Sequence, residues 1–186
     1  NKYYEVQKYI SKTEHVLTTA YTVTNPKFYD GLTADEKTVF NAACADTEAL
    51  FVRNFSGFEY IVAPSGSCVH HVRDNFDAIE QTDEVKQVRA RTYELVEFLH
   101  DVQNVEALPW ARFPHRVGLH NSCGTLRRLR HAHASELHEP FFSKPMDLLS
   151  KVEGIEFVTP ARPDECCGFG GTFSVFEEVV STKMGY

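Results

Sequence analysis

The sequence has no excess of positive charge and no long apolar run. It carries 19 lysine and arginine residues against 26 aspartate and glutamate residues, a formal net charge of −7. This balance argues against general nucleic-acid binding, which requires a basic surface. No apolar run approaches the roughly 20 residues of a membrane-spanning helix, and no charged-then-apolar leader opens the sequence. We therefore expect a soluble, cytoplasmic protein with no transmembrane segment and no nucleic-acid partner.

Cysteine is also sparse, and its number is odd. A secreted disulfide framework normally has an even number of cysteines, so five cysteines favour reduced thiols. Two of them are adjacent, and adjacent cysteines seldom pair because the bond geometry strains the intervening peptide. Reduced thiols are therefore predicted at Cys44, Cys68, Cys123, Cys166 and Cys167, and the adjacent pair suggests a metal or redox role.

Helical and strand patterns alternate along the 186 residues, whose composition is that of an ordinary globular protein. Strands are predicted at 58–63, 116–121 and 155–159, and helices at about 67–77 and, as one long helix, at about 83–103. This alternation predicts an α/β fold with a largely parallel sheet. Folds of this class bind ligands beyond the carboxyl ends of their strands.

Helix starts and stops are marked as well. Thr33–Glu36 has the pattern of a capping box, in which the two side chains satisfy free amides at a helix start. Gly57 is predicted to end that helix in a left-handed conformation. A second capping box is predicted at Ser174–Glu177, opening the last helix.

The stretch DECCGFGGTFS, residues 164–174, concentrates the chemistry. Gly168, Gly170 and Gly171 let the backbone fold closely around a ligand and turn amides toward it. The positive end of the following helix would stabilise nearby thiolates. Iron–sulfur clusters and zinc both require deprotonated thiols. The alternative is a glycine-rich turn with two buried thiols.

The other cysteines have comparable alternatives. Cys68 and Cys123 each follow a predicted strand, so their thiols are expected to converge with the cysteine pair on one sheet edge. His120, three residues before Cys123, is either a ligand or a satisfied histidine. The segment from Ser65 to Cys68 has the form of a Cys-x-x-Cys hook whose first thiol is serine, with a helix-capping turn as the alternative. Cys44 is assigned to core packing.

A cluster of histidines looks at first like a zinc site. Residues two apart on a helix do not share a face, so His131 and His133 are poor partners. We predict a solvated, basic surface here, with the docking of an anionic partner or substrate as the alternative. The segment comprises Arg127, Arg128, Arg130, His131, His133 and His138.

These motifs resemble the family of cysteine-rich CCG domains. Its pattern is one Cys, a long spacer, Cys-Cys-Gly, another spacer and Cys-x-x-Cys, usually present twice. Heterodisulfide reductase and the iron–sulfur subunit of glycolate oxidase carry the pattern, and the closest likeness is to the lactate-utilization A branch. The likeness is carried by PSGSC at 64–68, RTYELVEFL at 91–99, HNSC at 120–123 and ECCGFGGTFS at 165–174.

The resemblance implies two Rossmann-like βα repeats of the CCG type with largely parallel sheets. Residues 1–107 would be the remainder of the first repeat plus a connecting helix, and residues 108–186 the front part of the second. The first repeat lacks its own lone Cys and Cys-Cys-Gly before Cys68, and Gly124 stands where relatives often have histidine. Both repeats are therefore expected to be incomplete in this sequence.

The resemblance also implies a function and a ligand set. Cys123, Cys166 and Cys167 would ligate a 4Fe–4S-type cluster in the intact protein, and Cys68 would belong to the site of the first repeat. The implied role is electron transfer in a cytosolic complex that oxidises a 2-hydroxy acid, with L-lactate to pyruvate favoured. Partners would be the other subunits of that complex, including a ferredoxin-like iron–sulfur protein. Supporting residues would be Gly168, Gly170, Gly171, His120 and Ser65.

Two alternatives remain open at the level of sequence. The same thiolates, with His120 as a fourth ligand, suit a zinc-binding scaffolding subunit that passes no electrons. The incomplete ligand set also predicts little bound metal in these residues by themselves. A thiol-nucleophile enzyme ranks third, because no histidine is tied by motif to the cysteine pair. No catalytic residue is assigned.

Overall fold

The computed structural model describes residues 26–170 and 173–185. The chain divides into two compact units, residues 1–40 and 41–186. Gly171, one of the predicted site residues, lies outside the described residues. Within the described residues, no helix combines the length and the apolar character needed to cross a membrane.

Two helices open the described part of the chain, α1 (Pro26–Gly31) and α2 (Ala34–Phe55). The predicted capping box precedes α2 and is confirmed: the Thr33 amide donates to Glu36 Oε2 at 2.8 Å, and the Glu36 amide donates to Thr33 Oγ1 at 3.3 Å. The Thr33 amide and the Thr33 hydroxyl both donate to the Glu36 carboxylate and lower the pKa of Glu36. The hydrogen bonds of the capping box satisfy amides that would otherwise have no partner in the first turn.

The predicted left-handed stop at Gly57 is wrong. Among the described glycines, positive φ angles occur at Gly154, Gly168 and Gly170. The chain leaves α2 through a turn at residues 56–57 that needs no left-handed residue.

The core of the second unit forms where one face of α2 meets the first sheet and the helices after it. Phe76 is its most enclosed aromatic residue, 1% exposed, with its ring centroid 5.3 Å from that of Phe51. The buried Glu48 carboxylate accepts the Ala78 amide at 3.0 Å, and burial raises the pKa of Glu48. The cluster comprises Phe51, Val52, Ile61, Val72, Phe76, Val85 and Val88.

A first pair of parallel strands lies in residues 61–94. Ile61 pairs with Thr92 and Ala63 with Glu94. The elements in order are β1 (Ile61–Ala63), α3 (Gly66–Asp74), α4 (Asp83–Ala90), β2 (Thr92–Glu94) and α5 (Leu95–Glu97), with a π-helical turn at Phe98–Val102.

The single helix predicted at 83–103 is therefore wrong, because β2 interrupts it. Thr92 is 2% exposed, and its hydroxyl donates to the Val88 carbonyl at 2.7 Å, closing the end of α4. Glu94 Oε2 accepts the Val96 amide at 2.7 Å and opens α5. Threonine and tyrosine favour extended backbone, and pairing with β1 completes the strand.

A second pair of parallel strands lies in residues 116–158, with Arg116 opposite Glu156 and Gly118 opposite Val158. Every named strand pair in the described residues is thus parallel, which confirms the α/β class. The elements are β3 (Arg116–Gly118), a π-helical turn (Gly124–Arg128), a 3-10 turn (Ser135–Leu137), α6 (Lys144–Ser150), β4 (Glu156–Val158), α7 (Phe173–Phe176) and α8 (Glu178–Gly185).

The predicted helix start at Ser174–Glu177 is also wrong in detail. The helix α7 already begins at Phe173, so Ser174 lies inside it and is not its cap. The boundary between the two predicted CCG repeats, at residue 107, stays a prediction.

Candidate metal centre

The loops that carry Cys123 and Cys166 leave neighbouring parallel strands. Cys123 follows β3, and Cys166 and Cys167 follow β4, so the paired strands deliver both loops to the same edge. The thiols of Cys123 and Cys166 lie close enough for Cys166 to act on the pKa of Cys123. The predicted convergence of these two thiols is therefore present, while their role as ligands stays a prediction.

The surroundings of Cys123 raise the pKa of its thiol. Burial raises the pKa of its thiol, and the neighbouring Cys166 and Cys167 raise it further, whereas Arg127 lowers it. Cys123 and Cys167 are exposed and Cys166 is half-buried, so solvent reaches all three. A thiol with a raised pKa keeps its proton at neutral pH, and a bound metal would have to displace that proton.

The Cys-Cys-Gly turn is held by backbone geometry that only glycine adopts readily. Gly168 has φ +78°, and its amide donates to Cys166 Sγ at 3.4 Å. The Gly168 carbonyl accepts the Ser181 hydroxyl at 2.7 Å, which ties the turn to α8. A Cβ atom at Gly168 would lie 2.6 Å from the Ser181 carbonyl oxygen. Gly170 is left-handed as well, with φ +44°.

Replacing Gly168 by alanine is expected to destabilise the fold by about 2 kcal/mol, the cost of a left-handed non-glycine residue. The overlap with the Ser181 carbonyl adds to this cost, since α8 would have to shift. Urea unfolding monitored by circular dichroism measures the change. Gly57→Ala is the matched control, because a Cβ atom there meets nothing within 4 Å. Equal unfolding midpoints for the two variants would contradict the assigned role of Gly168.

The segment that carries Cys68 packs against the turn that follows Cys123. A Cβ atom at Gly66 would lie 2.5 Å from Thr125 Cγ2, and one at Gly124 would lie 3.3 Å from the Ser67 amide nitrogen. Two glycines therefore permit this approach, and a larger residue at position 124 would displace the start of α3.

Two of the supporting residues lie at the edges of these segments. Ser65 is the N-cap of α3, and its hydroxyl contacts the Ser67 hydroxyl at 3.2 Å. It makes no side-chain hydrogen bond to the amides of that helix. His120 is exposed, three residues before Cys123.

Asp164, the first residue of the DECCG motif, is anchored to the chain that follows Cys123. Its backbone carbonyl accepts Arg127 Nη2 at 3.1 Å. Its carboxylate accepts the Ser135 amide, which lowers the pKa of Asp164. Arg127 also forms a fork with Glu136, with Nε to Oε1 at 2.7 Å and Nη2 to Oε2 at 3.2 Å. No motif in the sequence pointed to this anchor.

His131 corrects the prediction of a solvated basic surface. Its side chain is 1% exposed, and its Nδ1 lies 3.4 Å from Glu94 Oε2, which is itself buried. Burial lowers the pKa of His131 to about 4 and raises that of Glu94. The His131 amide donates to the Thr125 carbonyl, and the His131 carbonyl accepts the Lys144 amide. These two backbone hydrogen bonds keep the ring buried.

The donor chemistry at Cys123 and Cys166 fits a metal or an iron–sulfur cluster. Thiolates are ligands that both groups use, and the thiols of Cys123 and Cys166 lie near each other. Within residues 26–170 and 173–185, no three His, Cys, Asp or Glu side chains stand close enough to form a complete metal site. The fit therefore rests on the paired thiols and the glycine turn beneath them.

A cavity of about 510 Å³ lies at the carboxyl ends of β3 and β4. Its walls are mainly apolar, and its charged lining residues are Glu139 and Asp164. Among the described residues, no lysine or arginine lines this cavity. Glu139 and Asp164 would repel a carboxylate ligand, and His133 is the other titratable residue of the lining.

Comparison with known proteins gives two family matches. Residues 117–186 match the cysteine-rich domain CCG. Residues 1–59 match the bacterial extracellular solute-binding proteins of family 7, DctP, over a stretch that includes α1 and α2. No solved structure matches.

Curated relatives cover a larger part of the chain. Lactate utilization protein A of Geobacillus thermodenitrificans (strain NG80-2) is 36% identical over 137 residues, which is 72% of this chain and 53% of the relative. The protein of the same name from Bacillus subtilis (strain 168) is 35% identical, with the same coverage. That from Exiguobacterium sp. (strain ATCC BAA-1283 / AT1b) is 40% identical over 68% of this chain and 49% of the relative. The chain spans about half the length of these relatives.

Proposed function

Because residues 117–186 belong to the CCG family of cysteine-rich domains, we propose that this chain is part of an iron–sulfur electron-transfer subunit. The subunit would serve a complex that oxidises L-lactate to pyruvate. The observation that carries the proposal is the proximity of the Cys123 and Cys166 thiols, on loops from adjacent parallel strands within the matched segment. Local geometry and family point to the same chemistry.

Cys123, Cys166 and Cys167 would hold the cluster, which we propose to be of the 4Fe–4S type. A bound cluster of this kind supplies one-electron transfer. The turn at Gly168 directs the Gly168 amide at the Cys166 sulfur. Hydrogen bonds to the sulfurs of an iron–sulfur cluster are one of the means by which a protein sets the reduction potential of the cluster. We propose that Cys68 belongs to a neighbouring site, that of the first repeat.

The substrate class comes from the name of the relatives, lactate utilization protein A. Among the described residues, no lysine or arginine lines the cavity beside the CCG loop, and its carboxylates Glu139 and Asp164 would repel a lactate carboxylate. We therefore propose that another subunit binds and oxidises the 2-hydroxy acid, and that a ferredoxin-like subunit exchanges electrons with the centre described above. This chain would conduct electrons and would carry no catalytic residue.

A zinc-binding scaffolding subunit is the second candidate. It is favoured by the exposed position of His120, three residues before Cys123, because three cysteines and one histidine form a common structural zinc site. In that case the same thiolates would position partner subunits and pass no electrons.

Metal analysis of the full-length protein, purified anaerobically from iron-replete cells, separates the two candidates. We expect iron and acid-labile sulfide in equal molar amounts, together with visible charge-transfer absorption that dithionite bleaches. Zinc in place of iron would favour the scaffolding subunit. A protein that holds neither metal, even after anaerobic reconstitution, would overturn the proposal.

A further inference from the structure

We infer that Arg127 is a positioning residue of the proposed iron–sulfur centre: its guanidinium anchors the CCG loop to the turn that carries Cys123 and places a positive charge beside the thiols. The inference rests on the proposed function, because it concerns the same centre. Arg127 lies outside the motifs that identify the family, and it acts through the loop rather than as a ligand.

The geometry of this anchor links the two halves of the centre. Arg127 belongs to the π-helical turn that follows Cys123 directly, four residues further along the chain. Its Nη2 donates to the Asp164 carbonyl at 3.1 Å, two residues before Cys166. One side chain thus spans from the Cys123 turn to the Cys166 loop, 37 residues away in sequence. Any movement of one loop relative to the other would break this hydrogen bond.

The guanidinium is itself held in place. Glu136 accepts both Arg127 Nε, at 2.7 Å, and Nη2, at 3.2 Å. The neighbouring Ser135 amide donates to the Asp164 carboxylate, so the 3-10 turn fixes Asp164 from a second direction. An arginine fork is required here, because a lysine ammonium cannot bind Glu136 through two parallel N–H groups while also donating to Asp164.

The charge of Arg127 acts on the same site. Arg127 lies four residues after Cys123 on the turn that this cysteine opens, and its guanidinium is bonded to the loop that carries Cys166. A thiolate-bound cluster gains negative charge when it is reduced, and a nearby cation stabilises the reduced form. Loss of Arg127 should therefore make reduction harder and shift the midpoint potential to a more negative value.

A plain surface ion pair is the competing explanation. Arg127 and Glu136 are both partly exposed, and exposed pairs contribute little to stability. A surface pair would leave cofactor retention and potential unchanged when broken. A positioning residue would alter both while leaving the fold intact.

The test compares Arg127→Met, Arg127→Lys and Arg128→Met in the anaerobically purified full-length protein. Arg128 is the matched control, since it is exposed on the same turn and its replacement removes the same charge. We expect Arg127→Met to lose iron to a chelator about tenfold faster than wild type, as is usual when the support of a metal ligand is removed. We also expect a more negative midpoint potential, measured by spectroelectrochemistry.

Arg127→Lys keeps the charge and loses the fork. We expect it to release iron faster than wild type while its potential shifts less than that of Arg127→Met. If both Arg127 variants load iron but show the same release rates and potentials as Arg128→Met, this inference is overturned and the proposed function stands. A wild-type protein without iron and sulfide would overturn both.

Discussion

Serine in place of Cys166 is expected to remove most of the iron and sulfide from the anaerobically purified protein. The Cys166 thiol is central to the candidate centre, since it lies near the Cys123 thiol and accepts the Gly168 amide at 3.4 Å. A serine hydroxyl does not ionise at neutral pH and is a poor replacement for a thiolate ligand. Iron and acid-labile sulfide, measured per mole of protein, report the loss.

The other cysteines provide matched controls for this result. Cys123→Ser and Cys167→Ser should lower iron and sulfide as well. Cys44→Ser should leave both at the wild-type level, because Cys44 lies within α2 and outside the segment that matches the CCG domain. Full retention of iron and sulfide by Cys166→Ser would remove this residue from the ligand set and, with it, the main support for the proposal.

Acidification from pH 6.5 to 4 is expected to cost the fold about 3 kcal/mol through His131 alone. The pKa of His131 falls from 6.5 to about 4 in the folded protein, chiefly because the ring is buried. Below pH 6.5 the His131 ring therefore takes up a proton in the unfolded chain, whereas in the folded protein it stays neutral until the pH approaches 4. The stability that His131 contributes is fully present above pH 6.5 and is lost across this window.

The surroundings of His131 modify this effect in both directions. Glu97 and Asp101 favour the protonated ring, whereas Lys144 and Arg73 oppose it. Burial raises the pKa of the neighbouring Glu94, so its proton uptake in the folded protein offsets part of the acid destabilisation. The total pH dependence of stability therefore mixes several groups.

Comparison with a non-titrating variant isolates His131. The free energy of unfolding, from urea titrations at several pH values, is measured for wild type and His131→Leu. We expect the difference between them to shift by about 1.4 kcal/mol per pH unit within the window, in favour of the leucine variant as the pH falls. His115→Leu is the control, since His115 is exposed. A difference independent of pH for His131→Leu would contradict the buried, neutral state of this ring.

Local sequence signals predicted the features that depend on neighbouring residues. The Thr33–Glu36 capping box is satisfied by groups three residues apart, so the sequence contains both partners. The convergence of Cys123 and Cys166 followed from two short strands and the rule that parallel strands end at one edge. The match of residues 117–186 to the CCG domain followed from the motif itself.

Long-range contacts decided what the sequence could not show. The strand β2 lies within a stretch of helical apolar spacing, and its hydrogen bonds to β1 are made with residues about 30 positions earlier. The apolar pattern gave no sign of that partner. The Gly57 stop failed for a similar reason, because residues 56–57 can leave α2 without a left-handed residue.

The features of the candidate site can be divided in the same way, into those set by local sequence and those set by long-range contacts. By itself the sequence determined which thiols and glycines are present and which strands deliver them, because those properties follow from residue type and local order. Only the tertiary structure decided that Arg127 holds Asp164 and that His131 is buried against Glu94. Burial and ion pairing depend on which distant segments meet, and the His131 ring can be buried because it is neutral in the folded protein.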